Sequence, residues 1–336
     1  MQKFLFHSIL YTSIFILSAF AFVGYQKHII SQISADKQAQ MTSALNALPK
    51  NKPLFSMLFV GDVMLDRGIR ETVETKYGGD YLKMFDFIKT SIARSDVSIL
   101  NLEGPASDKG SDKYNLYSFR MDPDVLKVLR TVGFNVISFT NNHVGDWGRD
   151  AFNDTIDRAG HKDFTVIGAG LDYNSAKKPI ILEKSGIKVG FLGFSDVGPN
   201  SMESSEETSG ILLLSDPNLE SIIKEAKKDI NHLVVVVHWG EEYRTDPTER
   251  QIEFGRRLVD WGVTVVVGHH PHVIEPTEKY KNGFIAYSLG NFIFDQHFSK
   301  ETMEGEILEI TLNKNGIESS NIKKVVLDKD YKPSLE

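Results

Sequence analysis

Between residues 56 and 288 one pattern recurs: a run of four to seven mostly apolar, β-branched or aromatic residues, followed by a stretch with helical periodicity. The runs are SMLFV (56–60), VSIL (97–100), NVISF (135–139), FTVI (164–167), KVGFLGF (188–194), HLVVVV (232–237), VTVVV (263–267) and FIAYS (284–288). Short strands alternating with helices specify an α/β domain, and runs that are apolar throughout belong to sheets covered on both faces. Asp122-Pro123, Asp216-Pro217 and Asp246-Pro247 each place a capping carboxylate before a proline suited to a first helical turn. Leu82, Phe85, Ile88 and Ile92 predict one apolar helix face, and Trp261-Gly262 the end of the helix that starts near Pro247. The tail alternates in EILEITL (306–312) and NIKKVVL (321–327), joined through Lys314-Asn315-Gly316, which predicts an antiparallel hairpin.

The N-terminus is of another kind. Residues 4–23 are apolar apart from His7 and a few hydroxyls, long enough as a helix to cross roughly 30 Å of hydrocarbon. Residues 1–25 are expected to be a transmembrane anchor, with a cleaved signal peptide as the alternative because Ala19-Phe20-Ala21 offers a small-x-small site. Residues 26–54, rich in Gln, Ser, Ala and Lys, form a linker to a body spanning 55–330. The expected location is the cell membrane, single-pass, with the body outside the cytoplasm.

Polar residues gather where the apolar runs end: Gly61-Asp62, Asn101 to Gly104, Asn141-Asn142-His143, His238-Trp239-Gly240, His269-His270-Pro271-His272 and Asn291. In α/β sheets the carboxyl ends of parallel strands open on a shared crevice, the usual ligand site. Five of the ten histidines fall in three of these segments. The proline at 271 predicts an extended His270, so that His270 and His272 face the same way and His269 the other. With no cysteine in the chain, any metal takes nitrogen and oxygen ligands, which suits Mn²⁺, Fe²⁺ or Zn²⁺, one ion or two. A net charge of -7 gives no footprint for nucleic acid. Gly168-Ala169-Gly170 lacks the third glycine of a dinucleotide fingerprint.

With these segments aligned, the sequence resembles the bacterial capsule-synthesis CapA family, associated with poly-γ-glutamate, within the calcineurin-like metallophosphoesterase superfamily. The signatures are GDVMLDR, NLEGP, TNNHVGDWG, IGAG, HWGEEY, GHHPHVIEP and SLGNFIFD, spread over about residues 56–300. The resemblance implies a metallophosphatase-like sandwich of two mixed β-sheets flanked by helices. It implies Asp62, Asn142, His238, His270 and His272 as metal ligands, Glu103 in the place of a bridging aspartate, and His143 as the catalytic histidine beside the scissile group. Met64 stands where the superfamily has a histidine, which removes one ligand from one metal position.

The implied function is metal-dependent hydrolysis of a phosphoester or amide in capsule or poly-γ-glutamate biosynthesis, with Glu241 and Asn291 lining the substrate pocket. The alternative is a non-catalytic accessory subunit for polymer synthesis, export or anchoring. Expected partners are the membrane, through the N-terminal helix, and synthase subunits. Arg244, Arg250, Arg256 and Arg257 form a basic stretch that reads as a solvated helix face.

Overall fold

Alternation within each strand divides the core. In the computed structural model, which describes residues 24, 26–28, 31–35, 37–38 and 53–336, the chain separates into two units, 1–52 and 53–336. The described residues of the first unit are helical. No helix among the described residues is long and apolar enough to cross a membrane, and the expected span at 4–23 lies outside the described residues.

The second unit opens with β1 (Phe55–Val63), β2 (Val97–Leu102), β3 (Val136–Ser138) and β4 (Thr165–Ile167), which pair in parallel in that order. The chain then builds a second sheet from β5 (Ile180–Lys184), β6 (Ile187–Ser195), β7 (His232–His238), β8 (Val265–His269), β9 (Ile274–Tyr280) and β10 (Gly283–Leu289). Its order is β9-β10-β8-β7-β6-β5, parallel across β10-β8-β7-β6 and antiparallel at both edges. Finally the chain returns to the first sheet. There β11 (Asn291–Ile293) lies parallel to β1, and β12 (Glu304–Asn313), β13 (Gly316–Leu327) and β14 (Pro333–Leu335) extend the sheet antiparallel. The β12–β13 hairpin is the one expected from Asn315-Gly316.

Phe55, Met57, Phe59, Val97, Ile99 and Val136 of the first sheet face Val189, Phe191, Val234, Val236, Val265 and Val267 of the second in one buried cluster. The opposite residues of the same strands pack under helices. Leu58, Val60 and Leu100 lie with α1 (Arg67–Tyr77), α2 (Val125–Val132) and α3 (Gly148–His161). Leu233, Val235, Val237 and Val266 lie with α4 (Leu219–Ala226) and α5 (Glu249–Asp260). Two mixed sheets flanked by helices are thus present, and both faces of the central strands are dry, which accounts for their unbroken valine runs.

Three local expectations need correction. The Asp-Pro steps precede helices without capping them. Asp122 and Asp216 accept from the amides of Asp124 and Asn218 in turns, and α5 is capped by Thr248, whose hydroxyl accepts from Gln251 N at 3.2 Å in a reciprocal capping box. Residues 81–92 form a 3₁₀ turn (Tyr81–Phe85) and a short helix (Lys89–Ile92), so Phe85, Ile88 and Ile92 are buried while Leu82 is exposed. Finally, His270 is not extended: its φ is +102° and that of His272 is +59°.

Candidate metal centre

The inward stripe of each strand turns polar at its carboxyl end. On β2 the inward series Val97, Ile99 continues to Asn101; on β7, Val234, Val236 continues to His238; on β8, Val265, Val267 continues to His269. Asn101 lies in register with Asp62 of β1, and His269 with His238, so both sheets present polar groups at one end of the sandwich. A register shift separates Phe59 from Asp62, and Gly61 fills the irregularity: a Cβ there would lie 2.1 Å from the Gly290 carbonyl oxygen.

Asp62, fully buried, is the hub. Its Oδ1 accepts from Asn101 Nδ2 and from His269 Nδ1, both at 2.9 Å, and its Oδ2 lies 3.3 Å from both the His270 amide and His272 Nδ1. Burial alone would raise its pKa, but the hydrogen bonds from His269 and His272 hold this carboxyl well below its usual range. Glu103, also fully buried, is pushed the other way, first by burial and then by the neighbouring Asp62 charge. Its Oε2 accepts from Asn101 Nδ2 at 3.1 Å, and its Oε1 is 3.5 Å from His272 Nε2. Burial opposes a proton on His272, yet Glu103 and Asp62 prevail and lift it to about 9. At His270 burial and then the His272 charge outweigh the opposing Asp62 charge and lower it to about 3. His238 is likewise lowered well below its ordinary value, by burial and then His270.

The remaining contacts fix orientation. His238 Nε2 is 2.7 Å from Asn142 Oδ1, and the His238 and His270 rings are 4.8 Å apart. Asn291 Oδ1 is 3.1 Å from His272 Nδ1, so Asn291 orients a centre histidine in addition to any contact with a ligand. His143 packs against Phe119 with ring centroids 4.0 Å apart and planes tilted by 32°, and its Nδ1 is 2.8 Å from Asp146 Oδ2. Met64 is buried in the apolar core, where its sulfur accepts from Asp66 N at 3.1 Å.

All six expected ligands, Asp62, Glu103, Asn142, His238, His270 and His272, therefore meet in one region, linked by the contacts above. Among the described residues two sets have ligand atoms within 4.8 Å of one another: Asp62, Glu103 and His238, and Glu242, His270 and His272. The donors fit a divalent ion. Glu103 Oε1, His238 Nδ1 and His270 Nδ1 are buried without a hydrogen-bond partner in the protein, and native structures rarely bury polar atoms in that state. Imidazole, carboxylate and carboxamide donors suit Mn²⁺, Fe²⁺ or Zn²⁺.

Sequence reasoning missed four residues here. Glu241 is exposed and pairs with Arg244 at 3.3 Å, whereas its neighbour Glu242 joins the histidines. His269, assigned no role by strand alternation, contacts Asp62 directly. Asn101 links Asp62 to Glu103, and Asp146 holds His143; the His-x-x-Asp spacing at 143–146 was the one local signal for the latter. The four arginines of the basic stretch each pair with a carboxylate: Glu241, Asp196, Glu278 and Glu253.

A family model described as bacterial capsule synthesis protein PGA_cap matches residues 56–296. The chain is similar to the PGA biosynthesis protein CapA of Bacillus subtilis (strain 168), 35% identical over 268 residues that cover 78% of this chain and 69% of that protein. It is also similar to the capsule biosynthesis protein CapA of Bacillus anthracis, 34% identical over 270 residues, covering 78% of this chain and 64%, under two thirds, of that one. Among solved structures, a hypothetical protein from Thermus thermophilus superposes with a TM-score of 0.50 at 15% identity, covering 80% of this chain and 98% of that one, a likeness of fold alone.

Proposed function

Because the chain belongs to the family of bacterial capsule synthesis proteins PGA_cap, we propose that it serves capsule or poly-γ-glutamate biosynthesis as a metal-dependent hydrolase of a phosphoester or amide. In this reading the N-terminal segment anchors the body to the membrane, the body works outside the cytoplasm, and synthase subunits are its partners. The observation that carries the hydrolytic reading is that Glu103, His238 and His270, each with a buried, unpartnered ligand atom, converge with Asp62.

Asp62, Glu103 and His238 would hold one ion; Glu242, His270 and His272 offer a second set. A divalent ion supplies Lewis acidity there, polarising the attacked group and acidifying water. The chain's own residues do the rest. Asp146 accepts the Nδ1 proton of His143, which leaves Nε2 as the nitrogen that exchanges a proton with the substrate, and Phe119 fixes the ring plane. His143 Nε2 takes a proton from the attacking water and passes it to the leaving atom as its bond to phosphorus or carbonyl carbon breaks. Asn291 and Asn101 hold His272 and the carboxylates in place.

The test is metal analysis of the purified protein with a hydrolysis screen against phosphodiesters and γ-glutamyl amides. Turnover that chelator removes and Mn²⁺, Fe²⁺ or Zn²⁺ restores is expected. His143→Ala should keep the metal content and lower turnover by roughly 10²- to 10⁴-fold. Inactivity with every metal and substrate would overturn hydrolysis in favour of the accessory role.

A further inference from the structure

Tyr243 sits next to Glu242 with φ +66°, a backbone conformation that bulky side chains rarely adopt. It is held there from several sides. Its amide donates to the Pro271 carbonyl at 2.8 Å, and its hydroxyl accepts from Gln296 Nε2 at 3.2 Å. Its ring lies parallel to within 30° of His272, with centroids 6.2 Å apart, and Phe298 meets it edge-on at 4.9 Å. Despite these restraints Tyr243 remains 43% exposed and Phe298 63%. Backbone strain that the surroundings enforce is characteristic of ligand clamps.

A second aromatic group lies beside His143. Tyr117 is 56% exposed, and the Arg67 guanidinium sits 5.9 Å from its ring and 5.2 Å from that of Phe119, the ring packed against His143. Phe294 connects the two groups: its ring lies 4.6 Å from that of His272, which Tyr243 faces, and 5.7 Å from that of Phe119. One exposed aromatic ring needs no explanation. Three rings around the mouth of one polar centre, one of them in enforced backbone strain, do.

We propose that Tyr243, with Phe298 and Tyr117, forms a ring-binding subsite at the mouth of the metal centre, which selects a phosphoester whose esterified group presents a flat ring face beside the phosphate. The proposal rests on the hydrolytic reading above and names its substrate class. A ring fixed at its backbone and its hydroxyl offers a rigid face at little entropic cost, and such a face favours a flat partner over a flexible chain. Aryl groups and sugar rings share this feature, so the test separates them.

The experiment is calorimetric titration of the full-length protein with Mn²⁺ present, using phenylphosphonate, cyclohexylphosphonate and propylphosphonate, none of which is a hydrolysable ester. The ring compounds should bind roughly 5- to 10-fold tighter than the propyl compound, the range that aromatic stacking gives. A preference confined to the phenyl compound points to an aryl or base ring, and one shared by the cyclohexyl compound points to a saturated, sugar-like ring. Tyr243→Ala should erase the preference and Tyr243→Phe should retain it, with thermal melts reporting that both variants fold. Equal affinity for all three, no binding of any, or a preference that survives in Tyr243→Ala would overturn the proposal. Turnover of phenyl phosphate is measured in parallel. Ring preference with no turnover here or in the substrate and metal screen above sinks hydrolysis and leaves the subsite standing, whereas turnover without ring preference sinks the subsite alone.

Discussion

Asp146 offers the sharpest quantitative test, because it is fully buried and does three jobs without touching the metal ligands. Its Oδ2 accepts from the Phe119 amide and faces His143 Nδ1, both at 2.8 Å, and its Oδ1 accepts from Asn115 Nδ2 at 2.8 Å. In Asp146→Ala these groups fare differently. Asn115 is exposed, so water replaces the lost acceptor. His143 can move its proton to Nε2, so its cost is a change of tautomer. The buried Phe119 amide donates to Asp146, and a buried donor left unpaired costs about 1–3 kcal/mol. Adding the lost charge-assisted bonds brings the expected destabilisation to about 2–4 kcal/mol, or about 4–8 °C in melting temperature at roughly 2 °C per kcal/mol for a large domain. Asp146→Asn can keep its oxygen toward Phe119 and turn its amide nitrogen to Asn115, whose own amide can flip to accept. It should therefore cost only about 1–2 kcal/mol, the difference between a charged and a neutral acceptor. In both variants bound metal should match wild type while turnover falls, Asp146→Ala the more steeply. Thermal melts, elemental analysis and initial rates make the comparison. A variant Asp146→Ala that melts with wild type, or turns over as fast, would refute the assignment of His143 orientation to this carboxylate.

Two further substitutions probe other parts of the structure. Glu275 is buried with one carboxylate oxygen unpartnered, and burial raises it to about 7 against the Gln251 contact that opposes the shift. The unfolded chain ionises first, so stability is fully present below about pH 4.5 and falls as pH rises through about 7. Glu275→Gln should remove that slope, gaining on wild type in melts at pH 8 and little at pH 5; a parallel slope in both proteins would contradict the burial argument. Gly61→Ala places a methyl 2.1 Å from the Gly290 oxygen, the acceptor of the Asp62 amide, and should cost about 3 kcal/mol or more while reducing metal content. A Gly61→Ala protein with wild-type melting and metal would show that this close approach is not required.

What was readable in advance follows from the range of each force. Strand identity depends on side-chain pattern within a few residues, so the valine runs of β7 and β8 and the Asn315-Gly316 hairpin were legible directly. The convergence of polar strand ends was legible too, since parallel strands bring their carboxyl ends to one side whatever the loops do. The loop conformations were not. Local sterics before Pro271 favour an extended His270, but the His270 amide contact to Asp62 and the Tyr243 amide bond to the Pro271 carbonyl accompany positive φ at His270 and His272.

The sequence by itself determined the alternation of strands and helices, the dry centre of the sandwich and the gathering of Asp62, Glu103, Asn142, His143 and the histidines at one end. Only the tertiary structure decided which neighbours complete that end: Glu242 in place of Glu241, His269 against Asp62, Asp146 behind His143. The reason is physical. Burial periodicity is written along a strand, whereas the partner of a buried charge is chosen across space, by whichever group the packed sheets leave within hydrogen-bonding distance.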